Sequence, residues 1–268
     1  MYNADMNIPR HVFDEFNLRG EPILFPTAEK RTFKVGDIIV KHVKNDPEEY
    51  TNWHADFFNS IKEDGFRVPK PIPTKSGKWI TDDGWTAWHT LDGNHNFESH
   101  IPESIQAIVA FHKAIKDYAK PEFVGGDGPW TRADQYAWGD KPENIHLELQ
   151  KDVELLYNLR QPLIDYTDQL IHGDLNPGNI LLSDNLPPAI IDIAPYWRPT
   201  EFSLAVYAYW VGPWRDHRER LQYFADVPNF KQMLVRAGIR MLLIMSEFNN
   251  FHEIEKYHKA TQIIEEYC

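Results

Sequence analysis

Residues 171–192 read I-H-G-D-L-N-P-G-N-I-L-L-S-D-N-L-P-P-A-I-I-D, which sets His172, Asp174, Asn179 and Asp192 around a turn-rich loop joining short apolar runs. An apolar run that ends abruptly in His-Gly-Asp places polar groups at the mouth of a buried strand. Pro177 restricts φ and Gly178 permits unusual backbone, so the loop has strong turn chemistry. Phosphoryl transfer needs such a set: a carboxylate near the attacking hydroxyl and oxygen ligands for Mg²⁺ on a triphosphate. Asp174 can serve as base or orienter of the hydroxyl, Asn179 offers a neutral amide oxygen to the metal, and Asp192 offers a charged one. Mg²⁺ usually takes one or two protein carboxylates and fills its shell with phosphates and water, so the ligand set has the right size.

The pattern resembles the kinase catalytic loop H-x-D-x-x-x-x-N with its following metal-binding Asp. More closely, H-G-D-L-N-P-G-N is similar to the H-G-D-x-x-x-x-N of the aminoglycoside phosphotransferase and choline kinase-like superfamily. The resemblance implies an α+β, protein kinase-like, two-lobed fold and transfer of the ATP γ-phosphoryl group to a small-molecule hydroxyl. ATP and Mg²⁺ are the implied cofactors. It makes Asp174 the catalytic carboxylate, with His172 bracing the loop beside it, and Asn179 and Asp192 the metal ligands.

The elements that must position these groups follow from patterning. Alternation in residues 30–46, broken at Val35-Gly36-Asp37, predicts a β-hairpin. Lys41 ends the run Ile38-Ile39-Val40, as does the lysine of the kinase V-A-I-K motif, where an ammonium bridges the α- and β-phosphates. Asp46-Pro47-Glu48-Glu49 opens a helix with acids in its first turn. In kinases a carboxylate of this helix orients the lysine, and either Glu49 or Asp56 could do so here. Residues 68–73 read as a stiff proline-rich linker, and residues 78–81 and 85–88 as a second hairpin. That hairpin leads to a kinase-like hinge in which backbone groups of Thr90 and Leu91 would face adenine. Helical periodicity follows over residues 102–118, 147–167, 201–210, 230–248 and 251–267. A small antiparallel, β-rich N-terminal lobe (1–93) and a larger helical C-terminal lobe (94–268) are expected.

A net charge of −12 disfavours nucleic acid and anionic membranes as partners. The one cysteine, Cys268, excludes a disulfide framework, and the N-terminus lacks a signal-peptide pattern, so the cytoplasm is the expected compartment. Two features depart from the superfamily. The segment before the Lys41 strand (22–31) has no glycine to let backbone amides approach phosphate, leaving the side chains of Lys30 or Arg31 for that role. Asp192 is followed by I-A-P-Y-W-R-P, a form resembling a phosphotransferase-like subgroup, in which Tyr196, Trp197 and Arg198 could shape an acceptor pocket. These departures motivate an alternative, a non-catalytic nucleotide-binding regulatory or interaction module.

Overall fold

The computed structural model describes residues 7–25, 31–43 and 46–268. Packing divides the chain into two compact units, one of residues 1–63 with 67–92, the other of residues 64–66 with 93–268. The first contains helix α1 (Arg10–Glu15), strands β1 (Ile23–Leu24), β2 (Thr32–Val35) and β3 (Ile38–His42), helix α2 (Glu48–Ser60), and strands β4 (Pro71–Ile72) and β5 (Trp85–His89). Its strands form one antiparallel sheet in the order β1-β2-β3-β5-β4. The β2–β3 turn needs Gly36, whose φ is +58°.

Strand alternation sorts this sheet into two faces. Phe33, Val35, Val40, Trp85 and Ala87 share a buried cluster with Val12 and Phe16 from the α1 region. Ile39 pairs with Trp88 and Lys41 with Thr86 on the opposite face. There the Trp88 ring meets His54 and Phe58 of α2 at 5.2 and 6.1 Å.

Residues 78–81 do not form the expected hairpin strand. They contribute a single bridge, Ile80 to Thr86. Thr81 instead closes a turn: its Oγ1 accepts the Trp85 N–H at 2.9 Å and donates to Asp83 at 2.7 Å. The edge of β5 is taken by β4, from within the segment read as a linker. Pro71 is tolerated there because an edge strand can dispense with an N–H.

The second unit holds helices α3 (Ile101–Ala114), α4 (Pro129–Trp138) and α5 (Gln150–Leu159), then strands β6 (Gln169–His172), β7 (Ile180–Ser183), β8 (Leu186–Ile190) and β9 (Pro195–Arg198). Helices α6 (Thr200–Val211), α7 (Phe230–Phe248) and α8 (Ile254–Tyr267) complete it. Helix α7 packs against α4, α5, α6 and α8. Helix α6 is buried almost all round, as its unbroken apolar sequence requires. The helix expected over 147–167 stops at Leu159, because Pro162 restricts the residue before it to extended backbone. The proline-bounded stretch after Asp192 is a strand: β9 pairs antiparallel with β6, Ile171 opposite Tyr196 and Gln169 opposite Arg198. Strands β7 and β8 form a separate hairpin. Among the described residues, no helix is long and apolar enough to cross a membrane.

Candidate active site

Strand β6 delivers the catalytic loop. His172 at its end is fully buried. Its Nδ1 accepts the N–H groups of Asp174 (3.2 Å) and Ala194 (3.4 Å), and its Nε2 donates to the Ile191 carbonyl at 3.1 Å. Both ring nitrogens are therefore spent on backbone, which ties the loop to the segment around Asp192. The His172 N–H in turn donates to Nε2 of His112 on α3 at 3.2 Å, and Ser203 of α6 donates to the His172 carbonyl. Burial pushes the His112 pKa down to about 4, so the ring stays neutral and can accept that bond.

Gly173 has a steric reason to be glycine. A Cβ there would sit 2.1 Å from the Tyr196 ring. Asp174 follows, largely withdrawn from solvent. Burial raises its carboxyl above the ordinary range, Arg240 and the Asn176 and Asn179 amides draw it back, and Asp192 raises it again. A carboxylate made more basic by burial is a better proton acceptor.

Asn179 and Asp192 come together through the β7–β8 hairpin. The Ile191 N–H donates to the Asn179 carbonyl at 3.1 Å, beside the Ile180–Ile190 pair. The Asn179 Nδ2 donates to the Asp174 carbonyl at 2.7 Å, which leaves its Oδ1 as the group able to accept or to ligate. Asp192 is exposed and holds a left-handed φ of +51°, a conformation that aspartate adopts more readily than most residues. One amide oxygen with no hydrogen bond among the described residues and one exposed carboxylate fit a Mg²⁺ that takes the rest of its shell from phosphates and water.

Sequence reading singled out Tyr196 and Arg198 beside this loop as acceptor-pocket candidates but passed over Arg236 and Arg240. Tyr196 and Arg198 alternate onto one face of β9. Arg198 grips Asp134 of α4 through Nε (3.0 Å) and Nη2 (2.7 Å), and lies 4.8 Å from the Trp138 ring. On α7, Arg236 and Arg240 stand one turn apart, both buried. Arg236 donates to the carbonyls of Gln232 and Gln161, while Arg240 lies against the rings of Tyr196 (4.8 Å) and Phe202 (5.6 Å). The available signal was positional. Residues 236 and 240 fall four apart inside an otherwise apolar helix, where a cation has no structural reason to sit. A cavity of about 290 Å³ lined by His100, Glu103, Leu182 and Asp184 shares none of these groups.

In the first unit, the face of α2 turned inward carries Thr51, Ala55 and Phe58, with His54 beside them. Glu49 and Asp56 both lie on its exposed side. Asp56 accepts from Trp79 Nε1 at 2.7 Å. Among the described residues, neither carboxylate forms an ion pair with Lys41. The group that feels the Lys41 charge is His54, whose pKa is pushed down to about 3 by burial first and Lys41 second. The helical step from 49 through 53 to 56 runs along the flank of α2 and misses the face that meets the sheet.

Thr90 is not free as a hinge donor, because its N–H is given to the Asp37 carbonyl at 3.0 Å. Leu91, half-buried, carries no hydrogen bond among the described residues. Arg31 donates to the His42 carbonyl at 3.3 Å. Lys30, with the rest of residues 26–30, lies outside the described residues.

Comparison with known proteins bears on the fold and the family. The chain resembles a thermostable mutant of aminoglycoside phosphotransferase APH(4)-Ia, with 13% identity, a TM-score of 0.65, and coverage of 97% of this chain and 99% of that one. It resembles amicoumacin kinase hAmiN, solved with AMP-PNP, Ca²⁺ and its antibiotic, at 14% identity and a TM-score of 0.60 over 96% of this chain and 92% of that one. It also resembles choline kinase LicA from Streptococcus pneumoniae at 12% identity and a TM-score of 0.56, covering 92% and 94%. At these identities the likeness shows the fold, which is the two-lobed α+β kinase-like one. No curated protein matches the chain by sequence. The model of the phosphotransferase enzyme family matches residues 25–225, well over half the chain, and the protein belongs to that family.

Proposed function

We propose that this protein is an ATP- and Mg²⁺-dependent phosphotransferase that moves the γ-phosphoryl group onto a hydroxyl of a small molecule. The observation that carries the reading is Asp174: a largely buried carboxylate, raised by that burial, on a backbone whose carbonyl accepts from Asn179 and whose N–H is given to the His172 ring. The acceptor oxygen attacks the γ-phosphorus and its proton passes to Asp174. The bond from the γ-phosphorus to the bridging oxygen breaks, and ADP leaves with the electron pair. Asn179 and Asp192 would hold the Mg²⁺, which neutralises charge on the phosphates. Lys41, at the end region of β3, is assigned to the α- and β-phosphates, and Leu91 to adenine. The complexes of related phosphotransferases with ADP, AMP-PNP and GDP support nucleotide use. Dependence on a nucleoside triphosphate and Mg²⁺ assigns the enzyme to the cytoplasm.

The test is Asp174→Asn. It removes the proton acceptor and leaves the metal ligands in place. Phosphoryl transfer should fall by at least about a hundredfold, while the Mg²⁺-ATP-dependent rise in melting temperature persists. Turnover near the wild-type level would refute the role of Asp174.

A further inference from the structure

The charges around the catalytic loop do not close. Arg198 is paired with Asp134, and Arg236 gives both Nη groups to the carbonyls of Gln232 and Gln161, leaving only its Nε without a partner among the described residues. Arg240 differs. It is fully buried, and none of Nε, Nη1 and Nη2 has a hydrogen-bond partner among the described residues. Its neighbours are the faces of Tyr196 and Phe202, which offset part of a cation's charge but leave its planar fork of donors unused.

Asp174 acts on this guanidinium through charge without hydrogen-bonding to it. A cation present only to neutralise Asp174 would be most stable as a hydrogen-bonded pair. What remains is a guanidinium fork with its donors unused, covered by the Tyr196 and Phe202 rings and near the carboxylate assigned to the acceptor hydroxyl. Tyr196 joins the two places, since its ring lies over Gly173, next to Asp174, and over Arg240.

We propose that Arg240 anchors an anionic group, a carboxylate or phosphate, of an acceptor whose hydroxyl lies at Asp174. The acceptor is then a hydroxylated anion, and cationic acceptors are disfavoured. The anion reaches the fork by displacing the Tyr196 ring. This inference rests on the phosphotransferase reading for the role of Asp174, but the anion site itself can be tested apart from it.

The probe is inorganic sulfate, which presents the same oxyanion chemistry. Calorimetric titration of sulfate against a chloride control at equal ionic strength is run on the wild type, Arg240→Met and Arg240→Lys. Mg²⁺-ATP is titrated in parallel. Saturable sulfate binding in the wild type, weakened at least tenfold in Arg240→Met with Mg²⁺-ATP binding retained, is the expected result. Absence of saturable sulfate binding in the wild type overturns the proposal, and so does equal affinity in Arg240→Met. If Arg240→Met does not fold, Arg240→Lys decides: it keeps the charge and loses the fork, so weakened binding supports the site and unchanged binding overturns it. Failure of the wild type to bind Mg²⁺-ATP sinks the phosphotransferase reading and leaves the sulfate result standing.

Discussion

His112 links the helical core to the catalytic loop, and its burial makes the stability of that link depend on pH. Its Nδ1 bonds the Ile108 carbonyl at 2.9 Å and its Nε2 accepts the His172 N–H, so protonation would remove the acceptor. Its pKa falls from the ordinary 6.5 to about 4 in the folded protein. The unfolded chain therefore binds the proton first as pH drops, and folding stability declines from pH 6.5 down to about 4. The full loss is about 3 kcal/mol at roughly 1.4 kcal/mol per pKa unit, and by pH 5.0 about 2 kcal/mol is gone. His54 adds a decline of the same sign, with its pKa near 3, and must be separated out. His112→Gln does so, because a glutamine can accept from His172 and donate to Ile108 but does not titrate. Urea unfolding followed by tryptophan fluorescence at pH 7.5 and 5.0 should show the wild type losing about 2 kcal/mol more than the variant, the His54 share cancelling in the difference. Parallel losses in the two proteins would refute the argument that His112 is buried neutral.

Gly173→Ala should disrupt the site through shape alone. A Cβ at 2.1 Å from the Tyr196 ring must push that ring aside, costing about 1–3 kcal/mol in urea unfolding and most of the activity. A variant of wild-type stability and turnover would show that the ring moves freely. On the sheet face of the first unit, Lys41→Met should weaken Mg²⁺-ATP binding at least tenfold, whereas Glu49→Gln and Asp56→Asn should change it less than about threefold, as neither carboxylate pairs with Lys41. A large loss from either acid, read by calorimetry, would restore it as the partner of the lysine.

The proposed catalytic loop could be singled out because its residues are local in sequence. His172, Asp174, Asn179 and Asp192 lie within one stretch of chain, and tight turns between apolar strands leave them little choice of neighbours. The β2–β3 hairpin and helix α7 were legible for a related reason: alternation and helical periodicity report directly on which faces are buried. Short strands that draw stability from a partner far along the chain were not. Neither β4 nor β9 has enough pattern of its own, and each exists because β5 or β6 offers an open edge.

The same distinction separates what each level decided about the site. The sequence by itself determined the family resemblance, the order of the groups proposed as catalytic and metal-ligating, and the expectation of a β-rich and a helical part, since these depend on residue types at short spacing. Only the tertiary structure decided that His54 and not an acid faces Lys41, that His112 supports His172, and that Arg240 sits unpaired near Asp174. Those pairings join residues on different elements, and which face of a helix meets which strand is set by the packing of the whole core rather than by any local stretch of chain.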